Sequence, residues 1–257
     1  MNKVYFVGAG PGDPQLLTLQ GAAALSRAAL VFAPEPFELT FAELLEGKDV
    51  ACPFEFDFAD LVTRVKEQLA TGSVVFLIPG DLTFYAPFQA LVDYFSESAE
   101  VLAGVGVANA ASARLKRTLD LPGISNRAII VSPKTLGNEE GMPRLDELAG
   151  KGASLLIYMN NLPLAELCST LRRGYQADVP IALLHRLGLP GEEIIIGSLD
   201  TIVEKTAGRD YFNLDDSTGK SALTLVVVGE TLTADIDGSW WDYRREHIWK
   251  KRQKGSR

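Results

Sequence analysis

The apolar run at residues 4–7 stops abruptly in Gly8-Ala9-Gly10-Pro11-Gly12-Asp13-Pro14. Four consecutive apolar residues closed by glycine read as a strand buried on both faces, and Leu16, Leu17 and the alanine-rich stretch 21–30 read as a helix after it. This strand-loop-helix opening directs the chain toward a sheet covered by helices. A dinucleotide fingerprint is excluded: Gly8, Gly10 and Gly12 alternate, and Asp13 stands where the third glycine of Gly-x-Gly-x-x-Gly belongs. Pro11 and Pro14 also remove amide donors that a phosphate would use.

Short apolar runs recur at 29–32, 74–78, 128–131, 154–159, 181–184, 193–196 and 223–228, mostly with helical stretches between them. The alternation predicts an α/β chain with largely parallel sheets and functional loops at the carboxyl ends of the strands. A chain of 257 residues that is 47% apolar can bury one large core or two moderate ones; two α/β domains are expected. Turn chemistry across 119–127 places the linker, giving domains 1–122 and 123–233 and a tail 234–257. No long helix separates 192–196 from 223–228, so the second sheet is expected to be mixed.

The net charge of −8 disfavours nucleic acid as a partner. Cys52 and Cys168 are far apart and outside any metal-ligand spacing, so two buried free thiols are expected. No apolar run reaches the roughly 18 residues of a membrane span, and no signal-peptide layout opens the sequence; a cytoplasmic protein is expected. The tail differs from the body. From Trp240 onward seven basic residues face Asp242 and Glu246, a surplus of five that leaves −13 for the rest. Interleaved with Trp240, Trp241, Tyr243, Ile248 and Trp249, these charges suit an acidic surface of the same chain or of a second subunit. A disordered end, a membrane surface or nucleic acid are the alternatives.

A second buried run, 74–78, ends in Pro79-Gly80-Asp81 followed by Leu82-Thr83-Phe84-Tyr85. Each such turn alone is explained by glycine supplying an unusual backbone angle and aspartate capping the next helix. Two matching turns at strand ends point to a shared ligand site, where glycine lets backbone approach closely and a carboxylate can hold an ammonium or a ribose hydroxyl.

Together with Leu155-Leu156-Ile157-Tyr158-Met159 and Val179-Pro180-Ile181-Ala182-Leu183-Leu184-His185-Arg186, these two turns resemble the tetrapyrrole (corrin/porphyrin) methyltransferases, in the family's order and over almost all of the chain to Glu230. Segment 119–125, Met142-Pro143 before 145–148, and Gly197-Ser198-Leu199 are most similar to the branch that methylates C11 of precorrin-4. The resemblance implies two α/β domains, usually in a homodimer, with S-adenosylmethionine folded in the cleft between them and S-adenosylhomocysteine as its product. It implies cofactor contacts at Pro11, Pro79, Gly80, Asp81, Phe84, Ala108, Asn109, Met159, Leu187 and Ala222, largely through backbone. Asp81 is the catalytic candidate, as a cofactor-orienting group or a proton acceptor through water. A helix cap is its structural alternative. The tetrapyrrole substrate carries many carboxylates, so Arg114, Arg186 and Arg127 are substrate candidates, with His185 as a further hydrogen-bonding group. A surface ion pair is the alternative for each arginine, and a backbone-satisfied strand end for the histidine. Leu82 and Val105 stand where the family has proline, and Ala108-Asn109 replaces a hydroxyl-bearing pair, removing a bond of about 0.5–1.5 kcal/mol. Other readings keep the fold but change the acceptor to another precorrin carbon, RNA or protein, or make the chain a non-catalytic binder.

Gly219-Lys220-Ser221 imitates the end of a P-loop, yet Leu214 occupies the position of its first glycine, so a loop is expected. His185 and His247 are the only histidines, and no cluster has metal-ligand spacing; no metal is expected.

Overall fold

The computed structural model describes residues 2–136, 143–214, 222–235 and 238–250. The Gly219-Lys220-Ser221 segment and Met142 lie outside the described residues. Two five-stranded sheets carry the fold. The first contains β1 (Val4–Gly8), β2 (Ala28–Phe32), β3 (Asp49–Ala51), β4 (Ser73–Ile78) and β5 (Ala99–Leu102), in the order β3-β2-β4-β1-β5 and parallel throughout. The second contains β6 (Arg127–Val131), β7 (Ala153–Ile157), β8 (Pro180–His185), β9 (Glu193–Ser198) and β10 (Thr224–Val228), in the order β6-β7-β10-β8-β9. Only its β6-β7 pair is parallel, so the second sheet is mixed.

Both faces of the first sheet are covered, which is why β1 and β4 read as continuous apolar runs rather than alternating ones. On one face Phe32, Phe76 and Phe6 form a stack, with ring centroids 4.6 and 5.2 Å apart, against Leu61, Val62 and Val65 of the helix Phe58–Leu69. Truncating Phe76 at the centre of that stack would cost about 3–5 kcal/mol. The opposite face packs Val7, Val31, Val75 and Leu77 against Ala24 and Leu25 of the helix Leu19–Arg27 and against Phe37 and Phe41. That first helix ends at Arg27, and Ala28 already pairs in β2, so the stretch 21–30 is shared between two elements.

In the second sheet, Leu155, Ile157, Ile181, Leu183, Val226 and Val228 meet Leu167 and Leu171 of the helix Leu164–Tyr175. The other face brings Leu156, Ala182, Leu184, Leu225 and Val227 onto Ala110 and Ala111 of the helix Val107–Leu115. That helix follows β5 of the first sheet, so its small alanines join the two sheets through one apolar core. The junction is reinforced in the loops: a Cβ on Gly12 would meet Leu189 Cδ2 at 2.1 Å, and one on Gly188 would meet Pro11 Cγ at 2.9 Å. Both sheets therefore present strand ends to one shared crevice.

The turn at 119–127 lies between Leu115 and β6 and is closed by hydrogen bonds from Leu121 N to Ser125 O and from Ser125 N to Leu121 O, both 2.8 Å. Of the two thiols expected to be buried, Cys168 is, whereas Cys52 is partly exposed because it precedes a short surface helix at Pro53–Glu55. No helix among the described residues is long and apolar enough to cross a membrane.

Candidate functional site

β1 and β4 are neighbours, and their carboxyl-end turns are tied together by the backbones of Gly10 and Gly80. β5 delivers the chain to Gly104, which lies so close to this pair that an added Cβ would sit 2.5 Å from Gly80 O and 2.6 Å from Gly8 Cα. Only a residue without Cβ fits there. The same approach brings Gly106 and the first turn of the helix Val107–Leu115 beside Pro79-Gly80-Asp81.

Between these turns and the second sheet lies a cavity of about 520 Å³. Its walls include Pro11, Pro79, Gly80, Asp81, Phe84, Ala108, Asn109, Met159, Leu187 and Ala222. All ten positions that the resemblance implies as cofactor contacts thus meet at one void. Asp81 lines it while its Oδ1 accepts from Thr83 N at 3.0 Å, so the turn-forming and site-facing roles coexist in one carboxylate. Asp13, the counterpart in the first turn, instead accepts from Gln15 N at 2.9 Å and caps the short helix Pro14–Leu16.

Several lining residues are not singled out by the sequence. Glu35, Pro36 and Phe37 enter from the loop after β2, and Thr224 opens β10; Tyr158, within the 155–159 run of the resemblance, precedes Met159 and is given no role of its own there. The Pro-rich turn at the carboxyl end of β2 is the one signal that marks the first three. Tyr85 and Met159 adopt positive φ, 58° and 46°, which side chains other than glycine rarely take. Such strain concentrates at functional sites. The Tyr85 and Tyr158 rings pack 5.4 Å apart. Burial pushes the Tyr158 phenol up to about 12, the nearby Asp81 charge adds to this, and a backbone hydrogen bond with Ala108 opposes it. Burial likewise raises Tyr85, against a hydrogen bond with Thr135.

Among the described lining residues the charged ones are Glu35 and Asp81, both acidic. The proposed substrate groups lie elsewhere. Arg114 donates from Nε to Glu192 Oε1 at 2.9 Å; Arg186 donates from Nε to Pro190 O at 2.8 Å; Arg127 sits at the opposite end of its strand and donates to Lys151 O. None of the three lines the cavity. His185 is one residue removed from it: its Nδ1 is 2.8 Å from Thr224 Oγ1, and its ring meets Tyr211 edge-on. Burial and the positive charges of Arg209 and Arg186 lower its pKa, with Glu193 opposing them. Through its Nδ1 contact His185 braces Thr224.

The cavity suits S-adenosylmethionine on its chemistry. Its volume lies within the roughly 300–1,000 Å³ of small-ligand sites, its walls are largely apolar or aromatic, and its two carboxylates match a cation. Glycines at 80 and 106 place backbone without a Cβ on the cavity wall, where a ligand can approach it closely.

Residues 3–203 match the model of the tetrapyrrole (corrin/porphyrin) methylases. The chain is 29% identical, over 95% of its length and 96% of the relative's, to the precorrin-4 C(11)-methyltransferase of Pseudomonas aeruginosa. Its fold superposes on a cobalt precorrin-4 methyltransferase from cobalamin biosynthesis with TM-score 0.73 at 18% identity, covering 90% of this chain and 96% of that one. A uroporphyrin-III C-methyltransferase from Thermus thermophilus, solved with S-adenosylhomocysteine, superposes with TM-score 0.64 at 23% identity, covering 93% and 100%. With the family pattern running through the first sheet, through β6 to β9 of the second and through the cavity-forming turns up to Leu187, the chain belongs to the tetrapyrrole (corrin/porphyrin) methylases.

Proposed function

We infer that this methyltransferase uses S-adenosylmethionine to methylate a corrin-pathway tetrapyrrole, and that the acceptor position is C11 of precorrin-4 or its cobalt form. The cavity at the junction of the sheets, whose charged lining among the described residues is acidic, carries the cofactor part of this reading. Similarity to precorrin-4 C11-methyltransferases over nearly the full length supports the acceptor part.

S-adenosylmethionine, when bound, supplies a methyl group activated on a positively charged sulfur. Asp81 and Glu35 favour positive charge in the cavity, and the Thr83 amide holds Asp81 in place through its Oδ1. Backbone at 106–109 supplies close polar contacts that are indifferent to the side chains of Ala108 and Asn109, and Gly80 lets the ligand approach because it carries no Cβ. Tyr158 keeps its proton at neutral pH and offers a hydrogen bond rather than a charge. Phe84, Tyr85, Leu187 and Leu189 exclude water. An in-line displacement asks chiefly for reacting atoms held about 3–3.5 Å apart, so positioning by these rigid strand ends dominates the chemistry. A polycarboxylate fits poorly among Glu35 and Asp81; the macrocycle accordingly rests over the cavity mouth with its carboxylates outside.

Incubation with precorrin-4 and S-adenosylmethionine carrying an isotope-labelled methyl group, followed by nuclear magnetic resonance of the product, tests this reading. Label at C11 is expected. Label on another carbon would replace the acceptor while leaving the methyltransferase reading intact. Absence of transfer with S-adenosylhomocysteine binding retained would leave a non-catalytic binder.

A further inference from the structure

Phe54, Phe58 and Tyr94 are large side chains of the first sheet's helical cover that remain 62%, 48% and 49% exposed. They form one patch where residues 53–58 cross the helix Gln89–Tyr94: Phe58 meets Tyr94 edge-on at 6.0 Å, and Phe54 meets Phe88, immediately before that helix, at 6.0 Å. The patch is acidic. Glu55, Asp57, Asp60 and Asp93 surround it, all exposed and none in an ion pair among the described residues. Lys66 is its cation, donating to Tyr94 Oη at 2.6 Å. Exposed aromatic side chains gathered this way mark interaction surfaces.

The tail has the complementary composition. The segment from Ser239 to Trp249 is helical, and Trp241, Tyr243 and Trp249 are 71%, 58% and 57% exposed. Arg244 lies over the Trp240 ring at 4.6 Å, and Arg245 and Lys250 add positive charge. Four further cations follow in the sequence at 251, 252, 254 and 257. The ion pairs and ring contacts of residues 240–250 lie within the segment itself among the described residues. The indoles of Trp241 and Trp249 are thus left exposed.

We propose that the segment 239–250 of one copy docks on the Phe54/Phe58/Tyr94 patch of a second copy. Charge selects this occupant: a basic aromatic helix meets a patch of four exposed carboxylates, whereas the body's −13 repels anionic lipid and nucleic acid. Because each chain carries both surfaces, a two-fold dimer makes the contact twice.

All three tryptophans of the chain lie in this segment, so intrinsic tryptophan emission reports on it alone. The experiment records emission wavelength and iodide quenching of the full chain across a dilution series, with sedimentation velocity on the same samples. Emission should move to shorter wavelength and quenching should fall as concentration rises, in step with dimer formation. A Phe54→Ser, Phe58→Ser variant should need roughly tenfold more protein to reach the same midpoint, the loss expected for truncated aromatic anchors. A Glu55→Gln, Asp60→Asn variant, which leaves the apolar surface intact, should shift the midpoint in the same direction and weaken its salt dependence. Emission independent of concentration, a dimer with tryptophans still exposed, unchanged midpoints in both variants, or a blue shift arising only with anionic phosphatidylserine vesicles would each overturn the proposal.

Discussion

Gly10 and Gly80 exchange both of their backbone hydrogen bonds, Gly10 N to Gly80 O at 3.0 Å and Gly80 N to Gly10 O at 2.8 Å. Two loops far apart in sequence thereby become one rigid floor, and the positive φ of each glycine, 75° and 70°, is what lets the bonds close. The cavity inherits its shape from this pair.

Gly80→Ala should accordingly do more harm than a glycine change of equal backbone strain elsewhere. Gly47 has φ 72° but open space around its missing Cβ, whereas a Cβ at Gly80 would press on Val107 Cγ2 at 3.3 Å. Each substitution carries a left-handed penalty of about 1–2 kcal/mol, or roughly 2–8 °C in melting temperature. Thermal melts should show both losses, while calorimetry should show weakened S-adenosylhomocysteine binding for Gly80→Ala alone.

Asp81→Asn retains an oxygen to accept from Thr83 N, so the turn should survive and the charge alone should be lost. Affinity for the sulfonium-bearing S-adenosylmethionine should fall roughly tenfold, about 1.4 kcal/mol, with a smaller change for uncharged-sulfur S-adenosylhomocysteine. Equal losses for both ligands, measured by titration calorimetry, would assign Asp81 a purely structural role.

Glu192 divides its carboxylate between two tasks: Oε1 accepts from Arg114 and Oε2 accepts from Gly188 N at 2.7 Å. Arg114→Met should cost under about 1 kcal/mol, since the pair is half exposed. Glu192→Ala should cost about 1–3 kcal/mol by leaving the Gly188 amide without its acceptor, a difference that urea denaturation resolves.

Tyr158 sets a pH limit on stability. Its folded value of about 12 lies above the ordinary value of 10.0, so the folded state holds this proton more tightly. The associated stability is fully present below pH 10 and is lost as pH rises toward 12. Tyr175, raised by burial, contributes in the same direction. Tyr158→Phe should flatten part of the alkaline decline in chemical denaturation curves and leave the profile near pH 7 unchanged.

Strands buried on both faces were the legible part of the sequence, because nothing but an apolar run can occupy β1, β4 or β10. β3 and β5 escaped notice for the opposite reason: each is a short edge strand, half exposed, with Asp49 and Glu100 in its pattern. The ten positions around one void were implied by the family resemblance; of these, Pro11, Pro79, Gly80 and Asp81 sit in the glycine- and proline-rich strand-end turns visible in sequence. Side-chain partnerships were not visible. Arg114 and Arg186 are drawn to Glu192 and Pro190 O, contacts made by folding alone, and Tyr158 gains its environment only when β7 meets the helix Val107–Leu115. The first-turn Asp13 shows the same limit, since its motif matched Asp81 while its carboxylate serves a helix cap.

The central claim is that the crevice floored by Gly10 and Gly80 holds the methyl donor, and titration calorimetry with S-adenosylhomocysteine tests it most directly. The account predicts single-site binding at micromolar strength, abolished by Ala108→Phe, which fills the cavity, and retained in Phe58→Ser, which alters only the outer surface. No heat of binding in the native chain, or equal affinity in the Ala108→Phe variant, would contradict it.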